Sequence, residues 1–374
     1  MKILKSGTNI SNRTLSIIFN LIIPVALSFL IFLDSASVTD KVLSIVFSFT
    51  FLETLFDTSY DNMKQDNSVE ISQNLNSSVS VTQSSTISNL NIPSDIYKLI
   101  VDAEKKYSNS SNDGKIIEVD YSRQNATSEF NDIYIRNTTL THKVNISDYI
   151  NKKVYAEVDK SQPSVLIYHT HGSETYELLD RGYYTNERSS ISNNPEENVI
   201  RVSEEICRVL EKNGYKTIHD KTLYDEEYSG AYDRSYENVK KTLKENPSIQ
   251  VVLDIHRGTI YQKDGSRIKP VTQIGDRKIA QIQIISGCED GNVTDFPDWE
   301  KNFTFALNLQ KKLIDSSPTI ARPLNLCSRK YNMDLMPCAL QVEIGTDANT
   351  LLEAVCSAEI FAEALTALLK ECEI

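Results

Sequence analysis

Pro163-Ser164-Val165-Leu166-Ile167-Tyr168-His169-Thr170-His171-Gly172-Ser173-Glu174-Thr175-Tyr176 is the stretch on which the reading of this chain turns. Its first half is a short apolar run, which suits a buried strand. Its second half leaves that strand in a tight polar turn with two histidines and a glutamate. The same grammar recurs downstream. Asn198 to Asn213 puts Val199, Val202, Ile206, Val209 and Leu210 on one helical face, and Gly214 closes it. Tyr215–His219, Gln250–Ile255, Ile279–Ile285 and Ala339–Ile344 read as strands. Ala231–Lys244 and Asp298–Ile314 read as helices, halted near Pro247 and Pro318. A last helix begins near Asn349, where Thr350 and Glu353 have capping-box spacing. Strands alternating with helices predict an α/β fold with a mainly parallel central sheet flanked by helices. In such sheets functional groups gather beyond the carboxyl ends of the strands.

Three strand ends carry matching chemistry. His169-Thr170-His171-Gly172-Ser173-Glu174 follows the first strand and His256-Arg257 follows another. Glu343 stands before Gly345 at the end of a third. Three of the five histidines fall at these ends. Zinc accepts imidazole and carboxylate in an open three-ligand site. His171 and Glu174 are spaced to reach one ion from a single turn, and His256 supplies a third ligand from another strand. Asp254, two residues back on the same face, would orient the His256 ring. Glu343 is then the expected general base toward water and acid toward a leaving nitrogen. Arg257 is expected to hold a substrate carboxylate or a developing oxyanion. The plainer alternatives are a hydrogen-bonding role for a lone histidine and a structural ion pair of Glu343 with Arg257 or Arg329. His142 and His219 read as non-ligands.

The 374 residues allow one sizeable α/β domain plus an additional segment, since domains run about 100–200 residues. A net charge of −12 without a basic cluster argues against nucleic acid as a partner. Cys207, Cys288, Cys327, Cys338, Cys356 and Cys372 form no CxxC pair, so neither a zinc ribbon nor a thioredoxin-type site is indicated; an even count in an exported protein permits disulfides, while their apolar settings suit buried free thiols. Leu15–Leu33 is uncharged and long enough to span a bilayer, which needs roughly 20 apolar residues. Lys2, Lys5 and Arg13 precede it, while Asp34 and Asp40 follow. The expectation is a single-pass anchor with residues 1–14 in the cytoplasm and the rest outside. Residues 42–56 are apolar and suit a surface helix or a second membrane segment. Residues 57–91 are rich in Ser, Asn, Gln and Thr and read as a flexible linker. Residues 92–161 read as a small β-rich lead-in, and 162–374 as the catalytic domain.

The segments PSVLIYHTHGSETY, VVLDIHRGT and LQVEIGTDANTLLEA together resemble the stage II sporulation protein P family, membrane-anchored peptidoglycan hydrolases related to the zinc N-acetylmuramoyl-L-alanine amidases. The resemblance implies a zinc amidase- or exopeptidase-like fold. It implies cleavage of the amide between muramic acid and the stem peptide, with stem-peptide endopeptidase activity as a second expectation. It further implies action at the sporulation septum and during engulfment from the mother-cell membrane, with stage II sporulation protein D, a lytic transglycosylase, as partner. The amidase pattern falls on His171, His256 and Glu343, and its helix-opening glutamate on Glu196 or Glu197. Glu174, read from the His171 spacing as in zinc carboxypeptidases, competes with Glu196 for the carboxylate ligand. Tyr168-His169-Thr170 replaces the amidase Asp-Pro-Gly before the first histidine, which leaves His169 as a further candidate ligand. A peptidase of the carboxypeptidase type acting only on stem peptides, and a metal-free wall-binding scaffold, are the alternative functions.

Overall fold

The structure is a computed structural model and describes residues 92–374. The expected anchor at 15–33, the apolar stretch at 42–56 and the linker at 57–91 lie outside the described residues. Among the described residues no helix is long and apolar enough to cross a membrane.

In chain order the elements are α1 (Ser94–Lys106), β1 (Gly114–Val119), β2 (Ser128–Phe130), β3 (Ile133–Asn137), β4 (Pro163–Tyr168), β5 (Tyr183–Tyr184), α2 (Val199–Lys212), β6 (Lys216–His219), α3 (Ala231–Glu245), β7 (Val251–Gly258), β8 (Arg267–Ile274), β9 (Arg277–Ala280), β10 (Ile282–Gly287), α4 (Trp299–Ser316), β11 (Leu324–Cys327), β12 (Ala339–Thr346) and α5 (Leu351–Lys370). The larger sheet has the order β2-β3-β11-β10-β12-β7-β4-β6, and the smaller β5-β1-β8-β9. β1–β3 thus carry the segment 92–161 into both sheets.

The expected mainly parallel sheet is a mixed one. β3–β11, β11–β10, β12–β7, β7–β4 and β4–β6 pair in parallel, but β2–β3 and β10–β12 are antiparallel. The cause lies in β8, which carries no clean apolar alternation and went unread in the sequence. β8 folds back on β9, and the strand expected at Ile279–Ile285 breaks at Gln281 between β9 and β10. β10 therefore enters the larger sheet against the direction of β12. Gln281 is fully buried at this crossing. Its Oε1 accepts from Tyr121 N at 2.7 Å, and its Nε2 donates to Asp120 Oδ1 at 2.8 Å and Thr319 O at 2.7 Å.

Residues paired across neighbouring strands share a face, because side chains alternate with period two. One row runs Arg136, Asn325, Ile285, Gln341, Asp254 and Tyr168 from β3 to β4. Two residues further along, Glu343 of β12 is paired with His256 of β7. The other face carries Leu340, Leu253 and Ile167, then Val342 and Ile255, all buried. Against it pack α2, α4 and α5. Burying each such side chain contributes about 1.5–3 kcal/mol. One face is therefore committed to the core, and the other is left polar.

The ends of the helices follow their sequence signals. Asn198 caps α2 by accepting from Ile200 N at 2.9 Å. The expected capping box on α5 is present: Glu353 N donates to Thr350 Oγ1 at 3.2 Å, and Thr350 N to Glu353 Oε2 at 3.0 Å. The second Glu353 oxygen lies 2.7 Å from Lys269 Nζ, itself buried and 2.7 Å from Asp180. All six cysteines are free, and five of them are buried.

Asp290, just past β10, ties the loop after β3 to the sheet. Its carboxylate accepts from Leu140 N (2.6 Å), Thr141 N (3.1 Å), Thr141 Oγ1 (2.5 Å) and Ser328 Oγ (2.6 Å). The Ser328 and Thr141 hydroxyls lead in holding its pKa down to about 2. A depressed carboxylate stabilises the fold above its unfolded pKa, near 4, and that contribution fades as the pH drops toward 2. Asp290→Asn should cost about 1–3 kcal/mol at pH 7 in chemical denaturation. The difference from the unmodified chain should shrink between pH 4 and pH 2; an equal difference at both ends would contradict the assignment.

Candidate active site

β4 and β7 bring the first group together. His171 leaves the end of β4, and its ring centroid lies 5.5 Å from that of His256 on β7, at 78°. Glu174, one turn on from His171, places Oε2 at 3.4 Å from His256 Nδ1 and accepts from Arg257 N at 3.0 Å. His171 stacks on Tyr228 at 4.7 Å and meets the edge of Tyr232 at 5.7 Å. Its Nδ1 is buried without a hydrogen-bond partner and stands 3.9 Å from Asp225 Oδ2.

Asp254 lies under this group. It is 1% exposed, and it accepts from Thr170 N at 2.8 Å and Thr170 Oγ1 at 2.7 Å. Thr170 Oγ1 is in turn 2.9 Å from Ser235 Oγ of α3. Asp254 Oδ1 is 2.9 Å from His256 Nε2, at ion-pair distance but without the alignment of a hydrogen bond. Burial resists charge on His256, yet Asp254 and then Glu174 outweigh it and hold the imidazole pKa well above its usual range. Burial likewise pushes Glu174 up, and the His256 and Arg257 contacts bring it below the ordinary carboxylate value. Burial, followed by the charge of His256, pushes His171 down. His256 is thus the positive group between the two carboxylates.

Glu343 stands beside His256 on the adjacent strand. Its Oε2 is 3.2 Å from Arg322 Nη1, and its side chain keeps 20% of its surface exposed. Gly258 makes room for it: a Cβ there would fall 2.6 Å from Glu343 Oε2.

The remaining expectations separate. Glu196 is exposed, and its side chain makes no hydrogen bond or ion pair among the described residues, whereas Glu174 lies at His256. Glu197 pairs with Arg188 at 3.1 Å. His169 is used up: Nδ1 donates to Ile255 O at 2.9 Å, and Nε2 accepts from His219 Nε2 at 2.9 Å. Burial pushes these two rings down to about 4 and about 3, so both stay neutral. Arg257 does not take the expected role. It follows His256 on a strand, so alternation sends it to the opposite side. There its guanidinium donates to Thr175 O (2.7 Å), Ser190 O (2.9 Å), Gly258 O (3.1 Å) and Thr259 Oγ1 (2.8 Å). Arg257 braces the loop that carries Glu174. Sequence reasoning missed Arg322, Asp225 and the tyrosines, which arrive from loops or a helix whose pattern carries no signal of the site, and it gave no role to Thr170 inside the first motif.

Among the described residues no group of three or more His, Cys, Asp or Glu is spaced to hold a metal ion. The donors nonetheless suit zinc in kind. Two imidazoles and one carboxylate lie together, and the buried Nδ1 of His171 has no hydrogen-bond partner.

The profile of the family Stage II sporulation protein P (SpoIIP) matches residues 58–366. Stage II sporulation protein P of Bacillus subtilis (strain 168) is 26% identical over 233 residues, 58% of this chain. The match spans 55% of the length of that relative. Among solved structures, the CwlD amidase from Clostridioides difficile in complex with the GerS lipoprotein gives a TM-score of 0.33 at 15% identity, covering 56% of this chain and 98% of that one. The N-acetylmuramoyl-L-alanine amidase AmiC2 of Nostoc punctiforme gives 0.32 at 13%, covering 57% and 97%. The family profile spans most of the chain, and on that extent the chain belongs to the Stage II sporulation protein P family.

Proposed function

We propose that this chain is a zinc-dependent peptidoglycan hydrolase of sporulation that cleaves the N-acetylmuramoyl-L-alanine amide bond. The observation that carries the reading is the convergence of His171, Glu174 and His256 beside Glu343, its neighbour in register. His171, Glu174 and His256 would hold the ion. When bound, zinc polarises a carbonyl and brings the pKa of water to near 7. Asp254 attracts the Nε2 side of the His256 ring, which turns Nδ1 toward Glu174 and the site. Glu343 takes a proton from the attacking water and returns it to the departing amide nitrogen. Arg322 fixes the carboxylate of Glu343, and Gly258 leaves it space to reach inward. Arg257 holds the Glu174 loop in place. The family relationship supports a role in septum thinning and engulfment, with stage II sporulation protein D as partner. Residues 15–33 would anchor the chain, with its catalytic part outside the cytoplasm.

The purified chain, incubated with sacculi and zinc, should release peptides with new alanine amino termini and leave free lactyl groups, as read by mass spectrometry. Chelation should abolish this, and zinc should restore it. Elemental analysis should give one zinc per chain, lost in His256→Ala. Cleavage within the stem peptides alone, with no lactyl groups appearing, would sink the amidase assignment. Glu343→Gln should keep the zinc and lose about 10²–10⁴-fold in turnover. Gly258→Ala should lower kcat more than it raises KM, because it moves Glu343 rather than the ligands; an unchanged kcat would show that Glu343 does not take part.

A further inference from the structure

Arg322 and Arg136 lie on the side of Glu343 away from the histidines. Arg322 is only 7% exposed. One Nη reaches Glu343, the guanidinium lies 5.8 Å over the Tyr121 ring, and Nε is buried without a hydrogen-bond partner. Arg136 of β3 is half-buried and forms no hydrogen bond or ion pair among the described residues, yet its charge is close enough to act on Arg322. Its neighbour in register, Asn325, has a buried Oδ1 that also lacks a partner. Arg322 thus pairs with Glu343 while Arg136 beside it has no carboxylate partner among the described residues, within a chain of net charge −12. A buried charge left unpaired is costly, and a planar guanidinium with free donors matches a carboxylate.

We propose that Arg136 and Arg322, floored by Asn325, form a subsite for a carboxylate of the substrate's peptide. This rests on the function proposed above, and it adds the direction in which the substrate lies. The muramic acid carboxyl is consumed in the scissile amide and is uncharged, so the sugar side offers the arginines no anion. The stem peptide does carry free carboxylates. The strand order places the histidines toward β4 and the arginines toward β3, with Glu343 between them. The scissile bond therefore lies across Glu343 with its peptide directed over β10 and β11. Asn325 Oδ1 accepts a peptide N–H beneath it. Residues 92–161 consequently furnish part of the site, through Tyr121 and Arg136.

The probes are N-acetylmuramoyl-L-alanyl-D-glutamate and its diamide, titrated calorimetrically into the full chain. The unmodified chain should bind the free acid more tightly than the diamide. Arg136→Gln should weaken the free acid about tenfold, leave the diamide unaffected and keep the unfolding midpoint. Arg136→Lys should recover part of the loss. No preference for the acid in the unmodified chain, or equal weakening of both ligands by Arg136→Gln, overturns the subsite. Hydrolysis of sacculi is read separately: an acid preference sensitive to Arg136 in a chain that cleaves nothing upholds the subsite and defeats the enzymatic reading.

Discussion

Asp254 is a carboxylate sunk below the end of the central sheet, and the arrangement above it depends on its being satisfied. A buried charge persists only when donors surround it. Thr170 supplies two from the turn after β4, and His256 supplies positive charge from the same strand. Asp254 thereby fixes where the β4 turn lies relative to β7. That turn carries His171 and, one step later, Glu174. The geometry of three functional side chains follows from the pairing demands of a fourth that has no need to touch substrate.

The same logic divides the sheet. Residues of one parity along β7 and β12 enter the core beneath α2, α4 and α5, and residues of the other parity remain polar. Sequence alternation carried this information. The strands, their ends and the positions of His171, His256 and Glu343 were legible, because a short apolar run that breaks into polar residues is a local pattern. Alternation also argues against Arg257 as a site residue: neighbours on a strand face opposite ways, and the structure has its guanidinium bound to loop carbonyls.

Other parts had no local signature. Arg322 sits between α4 and β11 in a stretch with no motif, and Asp225 lies in an irregular loop. Both acquire meaning only from tertiary placement. The reversal at Gln281 was hidden for a similar reason. Ile279–Ile285 reads as one apolar run, and only the burial of Gln281, with both ends of its amide engaged, marks the passage from one sheet to the other. The antiparallel entry of β10 follows from that passage, and it sets Arg322 beside Glu343.

β3 lies against β11 across a wide stretch of chain; Thr138 Oγ1 meets Leu326 O at a separation of 188 residues. A pairing this remote has to offset the entropy of closing a large loop. Glu343 itself follows both histidines in the chain, on the strand that completes the row. While the ribosome is still extending the polypeptide, the histidine turn exists without its neighbouring acid. The row that joins His256 to Glu343 is thus assembled from strands made well after the His171 turn.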